Sequence, residues 1–303
     1  NNINRLAAFI GDRAGKAVLE EPIKRQNPGA LAHKISNIQE VRAALDAPSL
    51  HERPPPVLSP MLESGTDLSR AYFSQKNALI FGPVPGVPDK GVRKWLEIQN
   101  QRPPENGLSS HRYAEWKEKH KTPTFFSVVR HPVLRAYNAF MLKVFATNSD
   151  GYLSIRQDLE NQFGMFLPQG AIAPDHDRSA LEKNGYGVEA HRISFKLFLI
   201  FAAANLGDET KIRQDGKWQL QTEIIRRYRI LSPEVIVLKE ETLRSGLKYL
   251  RNTLNIPPIY NWRNEPEPAF SFALSEIYDA EVEALARAAY GPDYEELGYD
   301  SLY

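Results

Sequence analysis

The 303-residue chain has no cysteine, which excludes a disulfide framework, a thiolate nucleophile and a zinc site built on cysteine. It also has no long apolar run. The longest, Phe195 to Leu206, falls well short of the roughly 20 residues a membrane span needs and reads as a buried helix. An excess of one charge sign is missing too: 38 Lys and Arg against 37 Asp and Glu leave a formal net charge of +1. Such a balance supplies no general field for drawing in nucleic acid. The one basic run, Arg226, Arg227, Tyr228 and Arg229, reads as the solvated face of a helix. No ligand set for a metal stands out: Asp175, His176 and Asp177 are adjacent, and neighbouring residues rarely point at one ion.

What is present suffices for a large core, since 42% of residues are hydrophobic and 10% aromatic. Residues 1–45 carry helical periodicity, broken at "NPG", and are followed by the proline-rich "APSLHERPPPVLSP". The expected organisation is a helical extension with a proline-rich strap over 1–70 and an α/β domain over 71–303. "GDRAGKA" (11–17) lacks Ser or Thr after its lysine and follows no strand, so it is not a nucleotide loop.

Three short apolar runs, 78–84, 124–129 and 234–239, read as buried parallel strands. Each precedes a turn signal and a helical pattern, the rhythm of a parallel sheet covered by helices in three layers. Ligands of such sheets bind beyond the carboxyl ends of the strands. The polar stretches 97–123 and 146–190 exceed plain connections and suit lids or acceptor-binding segments.

The first of these strands leads into "FGPVPGVPDKGVRKWL" (81–96), a Gly- and Pro-containing loop that opens a helix, which is the layout of a phosphate-binding loop. The second leads into "VVRHPVLRAYNAF" (128–140), where Arg130 stands at the strand end, Pro132 starts a helix, and Asn138 lies on the face of Arg135. A guanidinium there suits a phosphate, through paired charge-assisted hydrogen bonds; it equally suits a structural ion pair at a helix start.

The stretch "SVVRHPVLRAYNAF" resembles the 3′-phosphate-binding strand and helix of sulfotransferases that use 3′-phosphoadenosine 5′-phosphosulfate, in particular the carbohydrate sulfotransferase branch. Arg130, Pro132 and Arg135 match its Arg-x-Pro-x-x-Arg-x-x-Ser pattern, and Asn138 replaces the Ser. "VPGVPDKGVRKWL" is similar to the family's 5′-phosphosulfate loop, with Gly86 in the place of its lysine and Lys90 with Gly91 in the place of its hydroxyl pair. Trp218 and Gln221, then Glu241 and Leu243, then Tyr290, Asp293, Tyr294, Gly298 and Tyr299 resemble three further family segments. The resemblance covers about residues 78–303 and implies a sulfotransferase fold of the P-loop-NTPase type.

It also implies transfer of a sulfuryl group from 3′-phosphoadenosine 5′-phosphosulfate to a hydroxyl acceptor, a carbohydrate, without a metal. Pro85, Gly86, Val87, Pro88, Asp89, Lys90, Gly91 and Val92 would hold the 5′-phosphosulfate, and Arg130 with Asn138 the 3′-phosphate. Lys90 would supply the cation lost at Gly86, or else point to solvent. His176, then His111, are the candidate general bases; His131, between the Arg and Pro, is given no catalytic role. Trp218, Tyr290, Tyr294 and Tyr299 read as packing. The alternative is a non-catalytic relative that binds a glycan, nucleotide or protein. Absence of cysteine and of an anchor points to a cytoplasmic, bacterial setting.

Overall fold

The computed structural model describes residues 70–148, 151–229, 234–256 and 269–302. The expected extension and strap over 1–70 lie outside them, Arg70 excepted. The described chain is mixed α/β, with a five-stranded, mostly parallel sheet in the order β3-β1-β2-β4-β5. Its strands are β1 (Tyr72–Phe73), β2 (Leu79–Gly82), β3 (Glu105–Asn106), β4 (Thr124–Val129) and β5 (Val235–Lys239).

The long strands are the three apolar runs seen in the sequence. β2 pairs parallel with β4, Leu79 opposite Thr124, and β4 pairs parallel with β5, Phe125 opposite Val235. All four residues of β2 and the last five of β4 are buried. Successive strand residues point to opposite faces, so both faces of the sheet are covered here. Phe81 stacks on Phe126 with ring centres 5.2 Å apart, and Trp95 meets Phe126 edge-on at 6.2 Å. The two-residue β1 and β3 extend the sheet antiparallel beyond β2.

Ten α-helices accompany the sheet among the described residues. They are α1 (Lys90–Asn100), α2 (Ser110–Lys119), α3 (Pro132–Ala139), α4 (Leu153–Phe163), α5 (Arg178–Lys183), α6 (Val188–Leu206), α7 (Gln221–Arg229), α8 (Leu243–Thr253), α9 (Leu274–Ile277) and α10 (Ala280–Leu297). α1 buries Val92, Trp95 and Leu96, one apolar stripe at helical spacing. α3 starts where Pro132 needs no hydrogen-bond partner for its nitrogen, and it runs on into a π-helical segment, Phe140–Phe145. α6 carries the long apolar run and buries Phe195, Phe198 and Phe201.

Two local features fix the ends of the strands. A Cβ on Gly82 would lie 2.7 Å from the Tyr228 ring and 2.8 Å from that of Phe125, so only glycine lets α7 close on the end of β2. Tyr228 is therefore buried, contrary to the solvated reading of its basic run, while Arg226 in that run pairs with Glu223 and Glu296. In α10, Tyr290 has non-helical dihedrals two residues before Pro292, whose ring cannot continue a regular helix. The kink carries Asp293 into the interior, where it is fully buried.

Candidate phosphate-loop site

Residues 83–89 join the carboxyl end of β2 to α1, beside the end of the parallel neighbour β4. Within this connection the Val87 N–H donates to the Val84 carbonyl at 3.1 Å, and Gly86 has φ of 87°. Proline second and glycine with positive φ third are the pattern of a type II turn. A Cβ at position 86 would approach the Lys217 carbonyl oxygen to 3.2 Å and the Arg135 side chain to 3.4 Å. The glycine is thus required by a closed turn, and a lysine there would be both strained and crowded.

Arg135 fills the space behind this turn. It is 1% exposed and donates through Nε to the Pro85 carbonyl (2.9 Å), through one terminal nitrogen to Gln219 (2.7 Å) and through the other to Gly216 (2.6 Å). Burial pushes its pKa down, while Asp293, Tyr290 and Asp215 favour the charge. Arg135 is therefore a buried staple between residues 85 and 216–219, each of its three nitrogens donating to a backbone carbonyl.

Asp89 occupies the cap position but makes no side-chain cap; its carboxylate pairs instead with Arg93 at 3.2 Å. No acidic residue stands in the first turn. Lys90 is the first helical residue and is exposed. Of the other loop residues, Val87 is buried, while Pro85, Gly86, Pro88, Asp89 and Gly91 are half-exposed and Val92 is core.

Arg130 follows β4, is 1% exposed, and pairs with Glu240 through Nε at 3.1 Å. Its backbone is clamped by one side chain: Gln221 Oε1 accepts from the Arg130 N–H (3.0 Å) and Gln221 Nε2 donates to its carbonyl (2.8 Å). Gln221 in turn begins α7, whose first N–H groups find their acceptor in Asp293. The Gln221 and Thr222 N–H groups and the Thr222 hydroxyl donate to its two oxygens at 3.0, 2.9 and 3.0 Å. Burial pushes the Asp293 carboxyl up, opposed by these hydrogen bonds and by Arg135. Asn138 is buried on α3 with no side-chain hydrogen bond among the described residues.

The candidate bases are not gathered here. His111 is 83% exposed on α2 and lies 3.7 Å from Glu115. His176 is half-exposed, its carbonyl accepts from Ser271, and Asp177 beside it caps α5. No hydrogen bond or ion pair among the described residues joins either histidine to residues 83–90 or to Arg130. His131 is the histidine at the strand end: Nδ1 accepts from the Val133 N–H (3.3 Å), and Nε2 donates to the Asp300 carbonyl (3.0 Å). Burial lowers its pKa, with Glu283 and Glu241 opposing. Both ring nitrogens are used in holding the start of α3 and the final residues together, a structural task. Its partners lie up to 169 residues away, which the sequence does not signal.

Trp218, Tyr290, Tyr294 and Tyr299 are all buried, between 0% and 8% exposed, as packing residues would be. No group of three or more His, Cys, Asp or Glu is arranged to hold a metal among the described residues. None of the described helices is long and apolar enough to cross a membrane. Compared with known proteins, the chain matches no family model, no curated protein and no solved structure.

Proposed function

We propose that the chain is a sulfotransferase-like protein of three-layer, P-loop-like architecture that binds 3′-phosphoadenosine 5′-phosphosulfate and passes its sulfuryl group to a carbohydrate hydroxyl. The observation that carries this reading is the position of the 83–89 turn. It ends a buried parallel strand, opens a helix free of first-turn acid, and lies beside the strand that ends in Arg130. Helix starts of this kind attract phosphate through their N–H groups and dipole.

In the proposed reaction the acceptor oxygen attacks sulfur and the bond from sulfur to the 5′-phosphate oxygen breaks. The acceptor's hydroxyl proton passes to solvent water, and 3′-phosphoadenosine 5′-phosphate leaves. The 85–92 segment holds the 5′ end, and Lys90 on its flexible stem meets the charge that develops on the leaving phosphate. Arg130 meets the 3′-phosphate by exchanging its Glu240 partner for it, with Asn138 beside it as an amide donor.

Thermal melts with 3′-phosphoadenosine 5′-phosphate test the binding. At ~100 times its dissociation constant a ligand of the native state adds about 2.7 kcal/mol. No shift at millimolar ligand would sink the reading. Catalysis is tested by Lys90→Ala, which should lower turnover far more than nucleotide affinity.

A second reading, a non-catalytic relative, is favoured by one observation: position 86, where the resembled family has its lysine, is a glycine held at φ of 87° in a turn stapled by Arg135. Nucleotide binding with no sulfuryl transfer to any sugar acceptor would select it.

A further inference from the structure

Beside the staple lies a cleft of about 710 Å³, lined by Arg70, residues 151–155 and residues 213–216. Its volume falls within the roughly 300 to 1,000 Å³ of small-molecule sites. The lining is chemically mixed. Arg213 is exposed and has no ion-pair partner among the described residues, and Arg70 lines the same cleft. Asp215 is held rigidly, its carboxylate accepting from the Tyr152 hydroxyl (2.9 Å) and from the Lys217 N–H (2.8 Å). Each of its oxygens keeps lone pairs for a further donor. Gln214 donates through its amide nitrogen to Asn205 and Asp208, which leaves its carbonyl oxygen as an acceptor. Ser154 brings an exposed hydroxyl, Leu153 is 59% exposed, and Ile155 completes the apolar part.

The Arg213 guanidinium that can take an anion, oriented acceptors that can take hydroxyls, and exposed aliphatic carbons are what a sugar acid presents the complement of. We infer that this cleft binds a carboxylate-bearing saccharide, with Arg213 on the carboxylate and Asp215 on ring hydroxyls. The site also touches the phosphate loop. Gly216 ends the cleft lining, its carbonyl is held by Arg135, and a Cβ there would meet Pro85 at 3.1 Å. A saccharide in the cleft therefore rests on a segment that is stapled to the turn. The inference stands on the cleft and does not need the phosphosulfate reading.

Calorimetric titration of the protein with D-glucuronate, without nucleotide, tests it, with glucose and inorganic phosphate as comparison ligands. Glucuronate should bind, glucose and phosphate each at least tenfold more weakly, and Arg213→Glu should weaken glucuronate at least tenfold with an unchanged melting temperature. Because Arg213 is exposed, the variant folds. No glucuronate binding at 10 mM (roughly the weakest useful affinity for such a site) would overturn the inference. So would equal binding of glucuronate by Arg213→Glu and the unaltered protein. Phosphate binding as tight as glucuronate would overturn the saccharide class. A loss of nucleotide binding elsewhere in the molecule would leave these outcomes untouched.

Discussion

Arg135 Nε donates to the carbonyl oxygen of Pro85 at 2.9 Å, across 50 residues of sequence, and its two terminal nitrogens hold Gln219 and Gly216 in the same way. One buried guanidinium thereby fixes both the turn that opens α1 and the segment that leads into α7. Removing it leaves three carbonyl groups without a donor, and unpaired buried polar groups cost about 1 to 3 kcal/mol each. Arg135→Met should lower stability by on the order of 3 to 5 kcal/mol, measured by urea unfolding. Arg135→Lys should recover only part, because one ammonium cannot reproduce a planar fork. A methionine variant within about 1 kcal/mol of the original would show the staple to be dispensable.

Gly86 gives the second prediction. The family resemblance invites a repair, Gly86→Lys, yet the structure argues against it. The position has φ of 87°, and its missing Cβ would face the Lys217 carbonyl at 3.2 Å. A non-glycine residue in the left-handed region costs about 1 to 2 kcal/mol. The substitution should therefore lower the melting temperature and add no sulfuryl transfer. A more active variant of equal stability would mean that the turn is not the determinant of residue 86.

Much of this fold was legible in the sequence because its long strands are short continuous apolar runs bounded by turn residues: the expected 124–129 is β4, and 78–84 and 234–239 contain β2 and β5. β1 and β3 have two residues each, too few to show any period, so only pairing with β2 reveals them. The loop after β2 was legible as a turn through Pro85 and Gly86. That Arg135 and Asp293 serve as internal staples was not, since their partners lie 50 to 84 residues away and nothing local marks them. Arg135 and Asp293 were visible only as motif positions, and a motif says which residue stands there without saying which carbonyl or N–H it meets.

Asp293 is the basis of a third prediction. It supplies from α10 the cap that α7 lacks in its own sequence, and through Gln221 it holds the backbone at Arg130. Asp293→Asn turns one acceptor oxygen into an NH2 group facing an N–H donor. The expected loss is about 1 to 3 kcal/mol in chemical denaturation. If the Gln221 clamp positions Arg130, Gln221→Leu should also weaken binding of 3′-phosphoadenosine 5′-phosphate more than that of adenosine 5′-phosphate. Equal weakening of both nucleotides would restrict Gln221 to a purely structural role.

Acid lability follows from His191, which is 0% exposed between two tyrosines. The Tyr137 hydroxyl donates to the Phe272 carbonyl at 2.6 Å, so its oxygen must accept from His191 Nε2–H at 3.0 Å. Nδ1 is then the acceptor for the Tyr186 hydroxyl at 3.1 Å, and the ring stacks on Phe272 with centres 4.5 Å apart. Burial pushes the His191 pKa down to about 3, against an unfolded value near 6.5. The unfolded chain therefore binds a proton below pH ~6.5 that the folded chain refuses. Stability from this group is intact above pH ~6.5 and is lost as pH falls toward about 3, by at most ~1.4 kcal/mol per unit. Burial lowers His131 in the same direction, so His191→Gln should flatten the pH dependence between 6.5 and 4 without abolishing it. The variant should be less stable than the original at pH 7, where the tyrosine network is intact, and the gap should narrow steadily in acid. Denaturant midpoints measured across that range check the sign: a gap that stays constant or widens as pH falls would show that His191 takes up its proton in the folded protein.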